Sequence, residues 1–361
     1  MTPTSLVAAR RGPAGRLGDV RLAGRIDGGR GVPPGPARRY PSFALTYVTA
    51  GSGRYREAGR DLPLSAGSLV HVFPDRERGR PMTELAMPSL SHPYPLAGGD
   101  VTGFRRDGHV LLRGMASASE AGAFRPVIRS ATMRLSQETR RLEDRDTYGR
   151  AFLQVCNLWR NDEDVARFVL ASRFAGVAAA LLGVDRVRLY HDQALFKEPG
   201  GGYTPWHQDA MYWPLDGRRC LTMWMPLVDI TPQMGGLCFA SGSHAAGALS
   251  DVHISDASEE HFARLLAGGP YPLAGPVAMG AGDASFHNGW TVHKALPNAS
   301  GTTREVMTVI WFADGLPVLE PANSAQASDL ASWLPGLAPG DVAASDANPV
   351  LTPCGSGCRG S

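Results

Sequence analysis

Cysteine is scarce. The 361 residues hold five, Cys156, Cys220, Cys238, Cys354 and Cys358, too few and too scattered to staple a secreted scaffold and in keeping with a reducing compartment. The last two sit in the small-residue string Cys354-Gly-Ser-Gly-Cys358, in a tail over 351–361 that is expected to be flexible and to hold no metal. Lysine is scarcer still, with only Lys197 and Lys294 among 36 basic residues. Charge of one sign is lacking as well: 34 acidic residues leave a formal net of +2, which offers no field to attract nucleic acid or an anionic membrane. No run approaches the ~18 apolar residues that span a bilayer, and Arg10-Arg11 lacks the apolar stretch of an export signal. These absences predict a soluble, cytoplasmic protein, monomer or homodimer, with no nucleic acid and no membrane as partner.

What is present is unevenly spread. Residues 1–60 hold eleven arginines against Asp19, Asp27 and Glu57, a local net of +8, so the remaining 301 residues carry −6. Residues 1–40 are rich in Gly, Pro, Arg and Ala without apolar periodicity; they cannot bury enough surface to offset their ordering entropy and are expected to be disordered. From residue 43 to 75, alternating apolar residues between Gly51-Ser-Gly53 and Gly67 predict three short strands. The 41–80 segment resembles part of a cupin, of the kind found in the sensing arm of AraC-type regulators. It covers about half of such a domain with His71 as its one histidine, so the resemblance implies a pairing surface or a relic rather than a metal site. No helix-turn-helix pattern accompanies it. Residues 1–85 are expected to be an appendage, with Met82 or Met87 able to start the part that follows.

From Asp100 the chain reads as one continuous domain, bounded at 98–350. Residues 104–114 read as a helix end, a turn and a strand. Ser117-x-x-Glu120 is a capping box opening a helix expected to run to about Arg141. Asn161 or Asp162 can cap a second helix, whose apolar residues Val165, Phe168, Val169, Phe174, Val177, Ala180 and Leu181 recur at helical spacing until Gly183. Beyond Gly183 come strands between glycine turns, at 187–197, 220–229, 236–240, 276–287 and 304–313. Helices followed by strands predict an α+β domain whose β part is a sandwich or barrel.

The chemistry concentrates in Tyr203-Thr-Pro-Trp-His207-Gln-Asp209-Ala-Met-Tyr212-Trp213. If the segment is a strand, His207 and Asp209 share one face and offer an imidazole and a carboxylate to one point. A third ligand is available in Phe286-His287-Asn-Gly-Trp290-Thr-Val-His293. Two histidines and one carboxylate on one face of an octahedron suit Fe(II) oxygenases, although zinc hydrolases use the same donor types. Arg304, eleven residues past His293, separates the two readings. It opens an apolar strand, where an unpaired charge is costly and an anion is demanded; its planar fork suits a carboxylate. A co-substrate that chelates iron at one end and carries a free carboxylate at the other meets both demands, and 2-oxoglutarate has that shape.

Residues 100–345 resemble the phytanoyl-CoA dioxygenase family of Fe(II)/2-oxoglutarate oxygenases. The resemblance rests on His207-x-Asp209 in a Trp-His-Gln-Asp string, the distal His293, Arg304, Pro297-Asn298 and Ser241-Gly-Ser-His244. It implies a double-stranded β-helix (jelly roll) with flanking helices, Fe(II) held by His207, Asp209 and His293, and 2-oxoglutarate paired with Arg304. Gln193 and Thr222 stand where relatives make further contacts to the co-substrate. Two residues past the distal histidine, where some members have serine, this chain has Ala295. With O2, such a site implies hydroxylation of an unactivated C–H of a small, natural-product-like molecule; desaturation, cyclisation or epimerisation would use the same iron. Substrate contacts are expected at Tyr212, Trp213, Trp290, Gln154 and Asn157. His191 and His287 are expected close to the metal, His244 in a structural role, and Lys294 on the opposite face.

Overall fold

The computed structural model describes residues 87–352 throughout and, ahead of them, the backbone of six short strands; the rest of 1–86, with most of the 1–40 segment, and the tail from 353 lie outside the described residues. Two units separate at Leu85 and Ala86. In the first, β1 (Leu6–Ala8) pairs antiparallel with β2 (Ala23–Arg25), β3 (Ala44–Tyr47) with β6 (Leu69–Val72), and β4 (Ser52–Glu57) with β5 (Arg60–Ser65). The cupin-like stretch therefore holds four strands where alternation predicts three. The additional one, Ser-Gly-Arg-Tyr-Arg-Glu, carries charge where the pattern looks for apolar residues.

The second unit opens with α1 (Gly98–Asp107), which ends on Gly108 at a left-handed φ of 78° and turns into β7 (His109–Leu112). The predicted capping box starts α2 (Ala118–Leu135), with Ser117 Oγ accepting from Glu120 N at 3.2 Å and Ser117 N donating to Glu120 Oε2 at 2.7 Å. The helix stops at Leu135 and does not reach Arg141: Ser136 takes extended ψ and its hydroxyl accepts from Glu138 N. The single helix expected up to Gly183 is two, α4 (Glu163–Val169) and α5 (Ser172–Leu182), preceded by the short α3 (Thr147–Ala151). The break at Leu170-Ala171 frees Arg173 N to donate to Leu90 O, and the Arg173 guanidinium to pair with Glu120 at 2.9 Å. Apolar spacing continues across the break, so periodicity alone reads straight through it. The stretch Glu163–Leu182 has the length and mean hydropathy, 1.7, of a membrane span, but Phe168, Phe174 and Val177 are buried in the core.

The strands that follow build two antiparallel sheets. The larger runs β17 (Val350–Leu351), β9 (Val187–Lys197), β16 (Arg304–Ala313), β11 (Cys220–Pro226), β14 (Ala284–Asn288) and β7, with β8 (Leu153–Cys156) also on β9. The smaller runs β10 (Thr204–His207), β15 (His293–Ala295), β12 (Leu237–Ala240) and β13 (Leu273–Ala274). β9 and β16 have the predicted bounds. The strands expected at 220–229 and 276–287 are shorter, the latter reduced to Ala284–Asn288.

Alternation assigns the two faces of the larger sheet different work. Leu189, Ala194 and Phe196 of β9, Met307, Val309 and Trp311 of β16, and Leu221, Met223 and Met225 of β11 pack on Phe124, Phe168 and Phe174 of the helices. Each such large side chain is worth roughly 1.5–3 kcal/mol of burial. The inner face, toward the smaller sheet, carries Gln193 and Lys197, Thr308 and Arg304, Thr222 and His287. Helix α6 (Asp256–Leu266) covers the smaller sheet through Phe262 against Trp206, and α7 (Ser324–Trp333) lies by the Asp209–Tyr212 turn.

Candidate metal and co-substrate site

Strand β10 ends at His207, and Asp209 opens a 3-10 turn, Asp209–Tyr212, rather than continuing the strand. The alternation argument for the pair therefore fails, yet the carboxylate still arrives beside the imidazole because the turn folds it back. His207 is in register with His293 on β15. Ligand atoms of His207, Asp209 and His293 lie within 4.8 Å of one another, with Asp209 Oδ1 3.4 Å from His207 Nε2 and 3.7 Å from His293 Nε2. Both histidines are oriented from behind: His207 Nδ1 donates to Pro205 O at 2.7 Å and His293 Nδ1 to Thr291 O at 3.0 Å. Those bonds select the tautomer that leaves each Nε2 lone pair free for a metal. Across from them, Thr222 Oγ1 donates to Asp209 Oδ2 at 2.9 Å and His287 Nε2 meets the same oxygen at 3.2 Å, so Oδ1 is left to coordinate. Burial alone would raise the Asp209 carboxyl, but His293, His207 and His287 hold it well below its usual range. The site brings a carboxylate and two imidazole nitrogens together, the donor set that a divalent iron requires.

A second charged feature lies at the Arg304 end of β16, where Arg304 and Lys197 are register partners. Arg304 is 1% exposed and Lys197 fully buried. Arg304 Nη1 donates to Gly235 O, Lys197 Nζ donates to Gly202 O, and the guanidinium lies 5.1 Å over the Trp224 ring. Arg304 Nε has no hydrogen-bond partner among the described residues. Burial lowers Arg304 to about 9, and burial together with Arg304 lowers Lys197 to about 6. Among the described residues no carboxylate pairs with Arg304 or Lys197, and the buried guanidinium calls for an anion brought from outside. A compound with a free carboxylate at one end and a chelating 2-oxo acid at the other fits these two groups of donors.

The remaining expected positions divide. Gln193 is held by Gln154, whose Nε2 donates to Gln193 Oε1 at 2.7 Å while its own Oε1 accepts from Tyr148 OH at 3.2 Å. Thr222 faces the site but its hydroxyl is spent on Asp209. Tyr212 OH accepts from Ile254 N. Asn157 takes a left-handed φ of 53° and accepts from Trp159 Nε1. Trp213 packs with Tyr190, Leu215 and Phe312 and is 4% exposed, and Trp290 is partly buried against the same cluster. His191 is buried with its ring 4.7 Å from Trp333, and His244 Nε2 meets Arg105 O away from the triad. Lys294 points outward as expected, to Glu259 and over Trp206.

Three contributors escaped the sequence. Lys197 offered one signal, a lysine at the end of an apolar strand. Asp329 of α7 accepts from Tyr190 OH at 3.1 Å, and burial raises its carboxyl to about 7. Tyr190 is the extra residue of a β-bulge, between Leu189 opposite Trp311 and His191 opposite Ile310. The bulge turns two consecutive rings, Tyr190 and His191, to the inner side.

Comparison with known proteins agrees with this geometry. The chain is 27% identical over 187 residues to an ectoine dioxygenase of Stutzerimonas stutzeri, covering 48% of this chain and 60% of that one. It is 27% identical over 149 residues to a methylphosphonate hydroxylase of Gimesia maris, covering 41% and 54%. It thus spans between half and two thirds of the length of these curated relatives. Among solved structures, the non-haem α-ketoglutarate-dependent carbocyclase SnoK from nogalamycin biosynthesis superposes with a TM-score of 0.58 at 26% identity, over 72% of this chain and all of that one. The profile of the phytanoyl-CoA dioxygenase (PhyH) family matches residues 104–306, more than half of the chain. With its jelly-roll sheets, its His207, Asp209 and His293 cluster and its buried Arg304, the chain belongs to the phytanoyl-CoA dioxygenase family of Fe(II)- and 2-oxoglutarate-dependent oxygenases.

Proposed function

We propose that the chain hydroxylates an unactivated C–H bond of a small organic molecule, with His207, Asp209 and His293 holding Fe(II) and Arg304 holding the far carboxylate of 2-oxoglutarate. The carrying observation is a pair of complementary demands from the two sheets: on the smaller, a cluster of two histidines and one aspartate whose imidazole Nε2 atoms are free, and on the inner face of the larger, a buried guanidinium with no carboxylate partner among the described residues. Iron, 2-oxoglutarate and O2 together supply an oxidant strong enough to remove hydrogen from such a bond, with release of succinate and CO2. The protein's part is placement. Pro205 O and Thr291 O fix the two imidazoles, Thr222 and His287 fix the carboxylate, and the Tyr148–Gln154 chain fixes the Gln193 amide beside the pocket. Asp209 is a carboxylate where a halide-using enzyme needs a small residue, which favours oxygen insertion.

The curated relatives carry names for small polar substrates, ectoine and methylphosphonate, and no basic cluster in 100–345 suits a CoA phosphate. A small molecule is therefore the favoured substrate class. Ring closure is the second reading, supported by the carbocyclase likeness over the whole of that chain.

Mass spectrometry of a metabolite pool incubated with the protein, Fe(II), 2-oxoglutarate and O2 separates the two. Hydroxylation gives a product heavier by one oxygen, cyclisation one lighter by two hydrogens. Succinate released with either product should vanish in Asp209→Ala. Succinate formation that survives this substitution would remove the assigned metal site.

A further inference from the structure

Thr204 opens β10 and is the register partner of Ala295 on β15. Paired residues of an antiparallel ladder share a face, and Ala295 shares its face with His293 two residues earlier. Lys294 between them points the other way, to Glu259 and Trp206. Thr204 therefore faces the space between the sheets. It is 5% exposed, and its Oγ1 has no hydrogen-bond partner among the described residues. Its surroundings include the acceptors of the two buried basic side chains: Gly202, two residues before it, accepts from Lys197 Nζ, and Gly235, two residues before the Leu237 that pairs with Ala295 from the other side, accepts from Arg304 Nη1. A buried hydroxyl without a partner costs stability unless a ligand satisfies it.

We infer that Thr204 donates a hydrogen bond to the carboxylate held by Arg304, supplying from β10 the hydroxyl that the alanine at position 295 cannot supply from β15. The inference rests on the oxygenase reading above. It adds a residue to the co-substrate site and accounts for a departure from the family pattern by a compensating side chain on the neighbouring strand.

The test uses the full chain, loaded with Fe(II) without oxygen and titrated with 2-oxoglutarate, followed by the visible band of the chelate and independently by the rise in melting temperature. Thr204→Val should bind about tenfold more weakly, the loss expected of one hydrogen bond to a charged group. Without ligand the same variant should melt no lower than the parent, because it removes an unsatisfied polar atom. Thr204→Ser should stay within about threefold of the parent, and Ala295→Ser added to Thr204→Val should restore binding. Unchanged affinity in Thr204→Val overturns the inference while leaving the oxygenase reading intact. A parent chain that binds Fe(II) but answers 2-oxoglutarate with neither band nor stabilisation overturns both.

Discussion

The two faces of the seven-stranded sheet are made by the same strands and do opposite things. Toward the helices, β9, β16 and β11 present Leu189, Phe196, Val309, Trp311 and Met223 in an apolar layer with Phe124, Phe168 and Phe174. Toward the smaller sheet, the alternate positions of those strands carry Gln193, Lys197, Arg304, Thr308 and Thr222, and the inner apolar clusters stand apart, one around Tyr190 and Phe312, the other around Trp224 and Val306. The outer face makes the fold stable. The inner face spends stability to keep cations, imidazoles and hydroxyls desolvated and pointed at ligands.

Substitutions should separate these roles. The largest effect is expected outside: Phe168→Ala empties a fully buried position and should cost about 3–5 kcal/mol in chemical denaturation, with turnover per folded molecule unchanged. A fall in turnover at full folding would show that the faces are coupled. Inside, Arg304→Leu should weaken 2-oxoglutarate binding about 10–100-fold, as loss of a charge-assisted pair does, without lowering the melting temperature of the ligand-free chain. A large loss of stability would instead make Arg304 a structural cation. The smallest effect is acid sensitivity. Burial lowers His191 to about 4, against 6.5 for the unfolded group. As pH falls below 6.5 the unfolded chain takes the proton first, so stability is lost between those values and the loss levels off below the lower one. At pH 5.5 this amounts to about 1.4 kcal/mol. His191→Gln should remove that part of the difference between melting curves at pH 7.5 and 5.5; an unaltered difference would place the acid sensitivity elsewhere.

The same contrast explains what the sequence disclosed. β9 and β16 are legible to the residue because alternation and glycine turns are local, and so is the box at Ser117 and Glu120. His207, Asp209, His293 and Arg304 are legible through order and spacing. The break at Leu170-Ala171 is hidden because α4 and α5 share one apolar rhythm. The turn at Asp209 is hidden because a His-x-Asp pair reads equally as strand. Lys197, Thr204 and Asp329 take their meaning from partners on other strands or helices, and the packing of Trp213 on Tyr190 and Phe312 joins residues far apart in the chain.

The central claim is that the space between the two sheets binds a metal and a 2-oxo dicarboxylate side by side. Anaerobic titration of the Fe(II)-loaded chain with 2-oxoglutarate tests it most directly. The account predicts a weak visible charge-transfer band that saturates with 2-oxoglutarate and is lost in Asp209→Ala. Iron that binds at His207, Asp209 and His293 without any band on adding 2-oxoglutarate would contradict it.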